Sequence, residues 1–310
     1  MSGTAGSRHL GSSLMSIASL RVRDLSDGDL EAVNAFLLRH ADSSMFLLNN
    51  VRNAGLEYSG RRGSARYWGA FGAGDGLTGL IAHCWNGNVL VQAPEAPTLS
   101  ALIDALASEA DRPIAGALGN DDQVQAVLDL VGGTEENCAL HACEALYALG
   151  LDDLRVPRIE ADDALRIVVA REAGRDLLSD WIRAYEIEAS GKFPGPELES
   201  VVADRVDAFM ASKTLWVLID DARPVCLSGF NATLPEIVQI GPVWTPPEHR
   251  SRGYARYLLA ATLASARESG VRRAVLFTQS PAGAKAYEAI GFRRIGTYRV
   301  ALLRDPVTLG

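Results

Sequence analysis

The chain has 310 residues, 48% hydrophobic and 22% charged, with a formal net charge of −8. That length is enough for two ordinary domains and a sizeable core, and the composition is that of a globular chain rather than a disordered one. No apolar run approaches the roughly 18 residues of a membrane-spanning helix, and the negative balance argues against a general binder of polyanions. Neither a membrane nor a nucleic acid is therefore expected as a partner.

Residues 1–18 are rich in Ser and Gly and carry no long apolar stretch. They are expected to be a mobile tail, or to lie upstream of a true start at Met15, rather than to be a signal peptide. The first half then reads as a strand (20–25), helices around Leu30–His40 and Met45–Ala54, and three strands near 66–72, 77–85 and 88–94. A helix (99–110), a strand (113–118), a helix (121–131) and a strand (144–151) complete it. A polar linker is expected at 152–163.

The second half repeats this order. Leu165–Ala170 reads as a strand, and Leu177, Leu178, Trp181, Ile182 and Tyr185 recur at helical spacing until Gly191, Pro194 and Pro196 stop the helix. A second helix carries Leu198, Val202, Val206, Phe209 and Met210 on one face. Strands follow at 214–220, 223–232 and 236–244, the first two joined by a tight turn at Asp220–Ala222. A helix from Tyr254 to Ser269, a strand (272–279), a short helix (281–290) and a closing strand (294–303) end the chain. The duplicated order indicates a tandem of one mixed α/β fold of α+β class, with domains at 19–155 and 156–310.

Charge divides unevenly between these halves. Residues 1–155 hold 10 Arg/Lys against 19 Asp/Glu, and residues 156–310 hold 20 against 19, so a phosphate-bearing ligand is expected in the second. The cysteines Cys84, Cys138, Cys143 and Cys226 have no disulfide-framework spacing and read as buried thiols of a reducing cytoplasm. Cys138 and Cys143, with His141 between them, lack a second cluster to complete a tetrahedral site, so no metal is expected.

One stretch carries chemistry. Pro246 and Pro247 cannot donate to a β-ladder and end the preceding strand. The helix that follows leaves its first N–H groups without intrahelical partners, and those groups, with the helix dipole, favour an anion, most naturally phosphate. Gly253 permits close approach of backbone and ligand, Ala255 keeps the mouth open, and Arg250, Arg252 and Arg256 add positive charge. Neither a P-loop nor a Gly-x-Gly-x-x-Gly pattern occurs in the chain.

Arg250-Ser251-Arg252-Gly253-Tyr254-Ala255, with the later Tyr287 and Gly291-Phe292, resembles the GNAT superfamily of acetyl-CoA-dependent N-acetyltransferases. The likeness covers about 150 residues of the second half and extends to the first half in element order only. It is especially similar to a bacterial subgroup with an extra N-terminal GNAT-like region. The resemblance implies two GNAT-like domains, each a mostly antiparallel central sheet flanked by helices. It implies that the backbone around Arg250, Ser251, Arg252, Gly253, Tyr254 and Ala255 binds the coenzyme A pyrophosphate. The strand end Val243-Trp244-Thr245 would splay from the strand at 275–279, pair with the pantetheine arm and polarise the thioester carbonyl. Ser280 stands where relatives usually carry Asn, and Lys285 is a candidate for the adenosine end.

Tyr287 occupies the family's general-acid position, although Ala284, Tyr287 and Ile290 also share a face that suits a core aromatic. Histone-type relatives place a Glu base where this chain has Gln239. Glu236, Glu188, His249 or a water chain is left for that role, and Glu186 and Glu188 read either as a solvated helix face or as a wall attracting an ammonium group. The first half lacks the anion seat, having "EAPTLSAL" after its third long strand, and is expected to bind no coenzyme A but to complete the acceptor cleft or support the fold. Tyr67, Trp68 and Trp85 face that cleft or the core, the core being the simpler reading. The function so implied is acetyl transfer from acetyl-CoA to the primary amine of a small or amino-acid-like acceptor. The competing readings are a non-catalytic acyl-CoA sensor and an aminoacyl-tRNA-dependent transferase, the latter disfavoured by the acidic first half. The oligomeric state is not legible.

Overall fold

The structure, a computed structural model, describes residues 20–157 and 164–309. The tail at 1–18, the start at Met15 and residues 158–163 of the linker at 152–163 lie outside the described residues. In the first half, β1 (Arg21–Asp24) leads into α1 (Leu30–Arg39) and α2 (Ala41–Ala54), then β2 (Ala65–Phe71), β3 (Leu77–Cys84) and β4 (Asn88–Gln92). It closes with α3 (Ala96–Glu109), β5 (Ile114–Asn120), α4 (Asp121–Val131) and β6 (Cys138–Gly150). The second half opens with β7 (Leu165–Val169), α5 (Ala170–Ala173), α6 (Arg175–Ser190), α7 (Pro196–Ala211), β8 (Leu215–Asp220) and β9 (Arg223–Thr233). It continues through β10 (Ile237–Trp244), α8 (Tyr254–Glu268), β11 (Arg273–Thr278), α9 (Pro281–Ala289) and β12 (Arg293–Val307). The one-turn α5 is an addition to the expected order, and β6 begins six residues before the expected Glu144.

All twelve strands form one sheet in the order β1-β2-β3-β4-β5-β12-β6-β11-β10-β9-β8-β7. Pairing is antiparallel except at β4–β5 and β10–β11, which are parallel. The centre of this order is an exchange. β6, the last strand of the first half, pairs with β11 of the second from Gly150↔Arg273 to Ala145↔Thr278. β12, the last strand of the second half, pairs with β5 of the first through Tyr298↔Asn120 to Leu302↔Gly116. The two exchanged strands run against each other from Arg293↔Ala148 to Leu303↔Cys138. The covalent boundary near residue 155 is therefore not a boundary of the sheet.

Side-chain alternation along the exchanged strands shows how the two faces are covered. Ala301 and Leu303 of β12 join Ile114, Val124 and Val127 under α3 and α4. Tyr147 and Leu149 of β6 join Leu259, Leu263 and Leu276 under α8 and α9. The opposite face carries α1, α2, α6 and α7: Met45 and Leu48 share a cluster with Ala148, Ala232, Leu234 and Val275, and Leu178, Ile182, Val202 and Val206 pack on Leu215 and Val217. Polar contacts reinforce the crossing: Arg273 of β11 pairs with Asp42 of α2, and Arg299 of β12 bonds Asp121 of α4 at 2.6 Å.

Tyr67 and Trp68 are core residues, and Trp85 packs partly buried against the first-half cluster. Cys84, Cys138 and Cys226 are buried thiols as expected, whereas Cys143 is exposed, because its place on β6 faces the N-terminal end of α4 rather than a packed layer. Among the described residues no helix is long and apolar enough to cross a membrane, and no three His, Cys, Asp or Glu side chains gather to hold a metal.

Candidate active site

β10 and β11 pair only from Ile237↔Arg273 to Gln239↔Val275. Beyond that point each stays bonded to its outer neighbour, β10 to β9 as far as Trp244↔Leu227 and β11 to β6 as far as Thr278↔Ala145. The two inner edges thus separate into an open wedge. Shifts of register in β10 at Gln239/Ile240 and Ile240/Val243 accompany the separation, as a bulge bends and twists a strand. Gly241 belongs to this bend, and a Cβ there would lie 2.3 Å from the Asn231 amide nitrogen. Backbone groups on an edge without a ladder partner are obligatory hydrogen bonders, so the wedge offers an extended amide-bearing ligand a strand to pair with.

The wedge leads to the turn before α8. Pro247–His249 form a single 3-10 turn, Ser251 takes a left-handed φ of 64° and Gly253 one of 85°. A left-handed Ser costs about 1–2 kcal/mol and is the kind of backbone feature that clusters at functional sites. The first intrahelical bond of α8 is Tyr257 N–H to Gly253 C=O at 3.0 Å, and no side chain caps the helix. The backbone amides of residues 251–256 therefore have no backbone partner among the described residues. Arg256 leans over Gly253, its guanidinium 3.4 Å from where a Cβ would sit. A side chain at 253 would close the cradle.

The other side chains of the turn do different work from the one their sequence suggests. Arg250 donates from Nε to the Thr245 carbonyl at 2.9 Å and from a terminal nitrogen to Glu188 at 2.6 Å, so it braces the turn. Glu188 also accepts from the Trp244 indole at 3.1 Å, and Arg250 beside it holds its carboxyl below the usual range. As a proton acceptor Glu188 is weakened, and its place is that of a strut between α6, β10 and the turn. Tyr254 is 7% exposed and donates its hydroxyl to Asp220 at the end of β8; its ring anchors α8, leaving only its backbone for a ligand. Ser280 caps α9, accepting from Gly283 N–H at 3.1 Å, which explains a small hydroxyl where relatives usually carry Asn. Lys285 is exposed on α9. Glu236 is exposed at the start of β10, beside the paired end of the β10–β11 ladder, so the structure does not bring it to the wedge. His249 stacks edge-on to Tyr254 at 6.5 Å, on the same outer side of the turn.

Tyr287 is half-buried on α9, edge-on to Phe292 at 6.1 Å. Burial raises its phenol above the ordinary range, with a further push from the nearby Tyr185. α9 and α6 lie on opposite faces of the sheet, so these two phenols meet at the wedge, where the strands part. On the face opposite α8 the wedge is a crevice between the parted strands, with α6 and, from the first half, α2 on the same face. Gln239 is 2% exposed on that face with its side-chain oxygen unpartnered, an acceptor awaiting an N–H. Glu186 is not a solvated face but 2% exposed and paired with Arg205 at 2.6 Å; Arg205 also donates to Asn231 at 3.1 Å.

Sequence reasoning did not find Glu144, Tyr185 and Tyr298, which line the same crevice. Tyr185 was legible only as a helix-face apolar residue. Glu144 and Tyr298 reach the site through the strand exchange, which no local pattern encodes.

In the first half the equivalent wedge is sealed. β4 and β5 pair only from Asn88↔Gly116 to Leu90↔Leu118, but Gln123 of α4 accepts from Ala93 N–H at 3.0 Å. A Cβ on Gly119 would lie 3.2 Å from the Val91 carbonyl. α3 starts after Glu95 with no cation in its first turn.

Residues 211–294 match the family model described as acetyltransferase (GNAT) domain, a segment that runs from the end of α7 to the start of β12. No curated protein matches the chain in sequence. Among solved structures, a tandem GNAT protein from the clavulanic acid biosynthesis pathway is 15% identical, with 94% of this chain and all of that one covered and a TM-score of 0.53. A GCN5-related N-acetyltransferase from Sphaerobacter thermophilus is 14% identical over 91% of this chain and 94% of its own, TM-score 0.54. A Drosophila protein is 13% identical over 91% and 98%, TM-score 0.58. At such identities the likeness is one of fold. The chain has a tandem GNAT fold, and its residues 211–294 match the GNAT acetyltransferase domain.

Proposed function

We propose that the protein transfers an acetyl group from acetyl-CoA to the primary amine of a small acceptor, with the coenzyme held by the second half alone. The observation that carries this reading is the wedge beyond Gln239↔Val275 opening onto the free amides of residues 251–256. In it, the pyrophosphate lies on the N-terminus of α8 over Gly253, where Arg252 and Arg256 add charge and the dipole favours an anion. The pantetheine arm pairs with the inner edge of β10 at Val243, Trp244 and Thr245, whose N–H groups polarise the thioester carbonyl. Lys285 and Ser280 flank the coenzyme from α9. Tyr287 protonates the departing thiolate. Burial keeps the phenol protonated through neutral pH, and the proton passes to sulfur as negative charge develops there. The sealed first half takes no coenzyme and closes the acceptor crevice through α2, and a nucleic acid is not among the partners proposed.

Thiol release from acetyl-CoA in the presence of small primary amines tests the proposal. Wild type is expected to turn over, and Tyr287→Phe to keep its affinity for acetyl-CoA while kcat falls by about 100-fold or more. Unchanged kcat in that variant would remove the phenol from the mechanism. A sensor without turnover is the second reading, favoured by the Gln at position 239; acetyl-CoA binding without thiol release across the amine panel would establish it.

A further inference from the structure

The proposed reaction needs a group to take a proton from the incoming ammonium, and the carboxylates expected for it are engaged or displaced. Glu188 is tied to Arg250, Glu186 to Arg205, and Asp42 to Arg273. Glu288 accepts from the Tyr147 hydroxyl on the other face of the sheet. Glu236 sits at the paired end of the ladder.

Glu144 is different. Its neighbour Ala145 is the partner of Thr278, the last residue of β11, so Glu144 lies one position beyond, level with the open end of the wedge and one strand spacing, about 5 Å, to the side. On its other flank it is the direct cross-strand partner of Tyr298. The alternation that sends Tyr147 to α9 and Ala148 to the α2 layer turns Glu144 to the crevice. It is half-buried and makes no hydrogen bond or ion pair among the described residues. Beside it, Tyr298 stacks on Phe277 at 4.2 Å, and Phe46 of α2 stands 6.1 Å from Tyr298 and 6.3 Å from Phe277. Beside the wedge there is thus an aromatic cluster drawn from both halves, with Tyr298 buried beneath partly exposed Phe46 and Phe277, and next to it a carboxylate without a hydrogen-bond partner among the described residues.

We infer that Glu144, carried into the second half's site by the exchanged strand β6, is the acceptor-side base, and that the acceptor is a primary ammonium on a small aromatic or apolar body. This rests on the acetyl-transfer reading above. An ammonium group matches both a carboxylate and the faces of aromatic rings, and Arg205, the cation in contact with Tyr185, is already engaged by Glu186 and Asn231. In the reaction Glu144 takes one proton from the ammonium and passes it to solvent. The freed lone pair forms the C–N bond, the C–S pair leaves on sulfur, and sulfur takes the Tyr287 proton. The excess proton left on nitrogen then restores the phenol through water.

The pH behaviour follows from what faces Glu144: Tyr298 from β12, with Cys84 behind it, and Tyr185 from α6, with Glu186 and Arg205 behind that. Burial raises the Glu144 carboxyl. A base works ionised, so rate is lost as pH falls through that raised value, above the range of an exposed Glu. The same shift has an opposite sign in stability. The native state holds its proton more tightly than the unfolded chain, so stability falls as pH rises from the unfolded to the folded value. Glu144→Gln is therefore expected to match or exceed wild type in thermal midpoint at neutral pH.

The test measures thiol release with 2-phenylethylamine and acetyl-CoA from about pH 5 to about pH 9, alongside the acetyl-CoA-induced thermal shift. Glu144→Gln is expected to lower kcat/KM by about 100-fold or more and to lose the acid limb, and Glu144→Asp to recover part of the rate with that limb present. Both are expected to keep the wild-type thermal shift. An unchanged rate and acid limb in Glu144→Gln, or wild type that binds acetyl-CoA yet ignores 2-phenylethylamine while acetylating anionic amines, overturns this inference and leaves acetyl transfer standing. Absence of any acetyl-CoA shift in wild type removes the acetyl-transfer reading itself.

Discussion

Tyr254 ties the first turn of α8 to Asp220 at the end of β8, with its ring buried beside Leu258, Leu218 and Val225. The amides at residues 251–256 keep their aim only while this turn is held, and Arg250 holds it from the other side through Thr245 and Glu188. A hydrogen bond to a charged acceptor contributes about 1.5–3 kcal/mol. Tyr254→Phe is accordingly expected to lose about 1.5 kcal/mol of unfolding free energy, read by urea titration, and to raise KM for acetyl-CoA more than it lowers kcat. A variant as stable as wild type would show that the hydroxyl anchors nothing. Gly253 stood out in the sequence as a glycine before a helix, and the structure gives it a left-handed φ of 85°, whereas Tyr287 stood out only through the family resemblance, its spacing alone suiting a core aromatic. Glu188 was not, since its ion pair joins residues 62 apart in the chain, and a helix-face Glu looks the same whether it is solvated or braced. Gln239 showed as a departure from a base, but only its burial makes its oxygen a waiting acceptor.

At the scale of elements, periodicity found every strand and the long helices, because apolar residues recur at two or at three and four wherever one face is buried. What it missed is which strand sits beside which. β6 and β12 would show the same alternation if each closed its own half, and nothing local distinguishes the exchange that places β6 on β11 and β12 on β5. The exchange has a physical consequence. Leu303 of β12 is buried in the first-half core and Leu149 of β6 in the second, and a fully buried side chain of this kind contributes about 1.5–3 kcal/mol. Cut near residue 155, each half would lose the partner of its edge strand and expose an apolar row, a template for aggregation. Residues 1–155 and 156–310 produced separately are expected to be insoluble or unfolded by circular dichroism, and to regain a cooperative melt when co-expressed. A stably folded monomer of either half alone would contradict the exchange.

For the whole molecule, one sheet carries two wedges of the same design and puts them to different uses. In the first half Gln123 and Val124 of α4 fill the space between β4 and β5, and α3 starts after Glu95 with no cation in its first turn, which offers no seat for phosphate. In the second, the wedge stays open and leads to the cationic turn. In the proposed reaction the acidic half supplies what the open wedge lacks on its acceptor side, α2 on the same face and a carboxylate from β6. The charge division in the sequence pointed to the half that carries the cationic turn; the closing of the other wedge includes a side chain reaching a backbone amide 30 residues away, which no spacing rule anticipates. Calorimetric titration of acetyl-CoA into wild type and Gly253→Glu tests this arrangement most directly. The account predicts one site per chain in wild type and none in the variant, where a carboxylate replaces the space over the free amides. Two sites per chain, no binding in wild type, or binding that survives Gly253→Glu would contradict it.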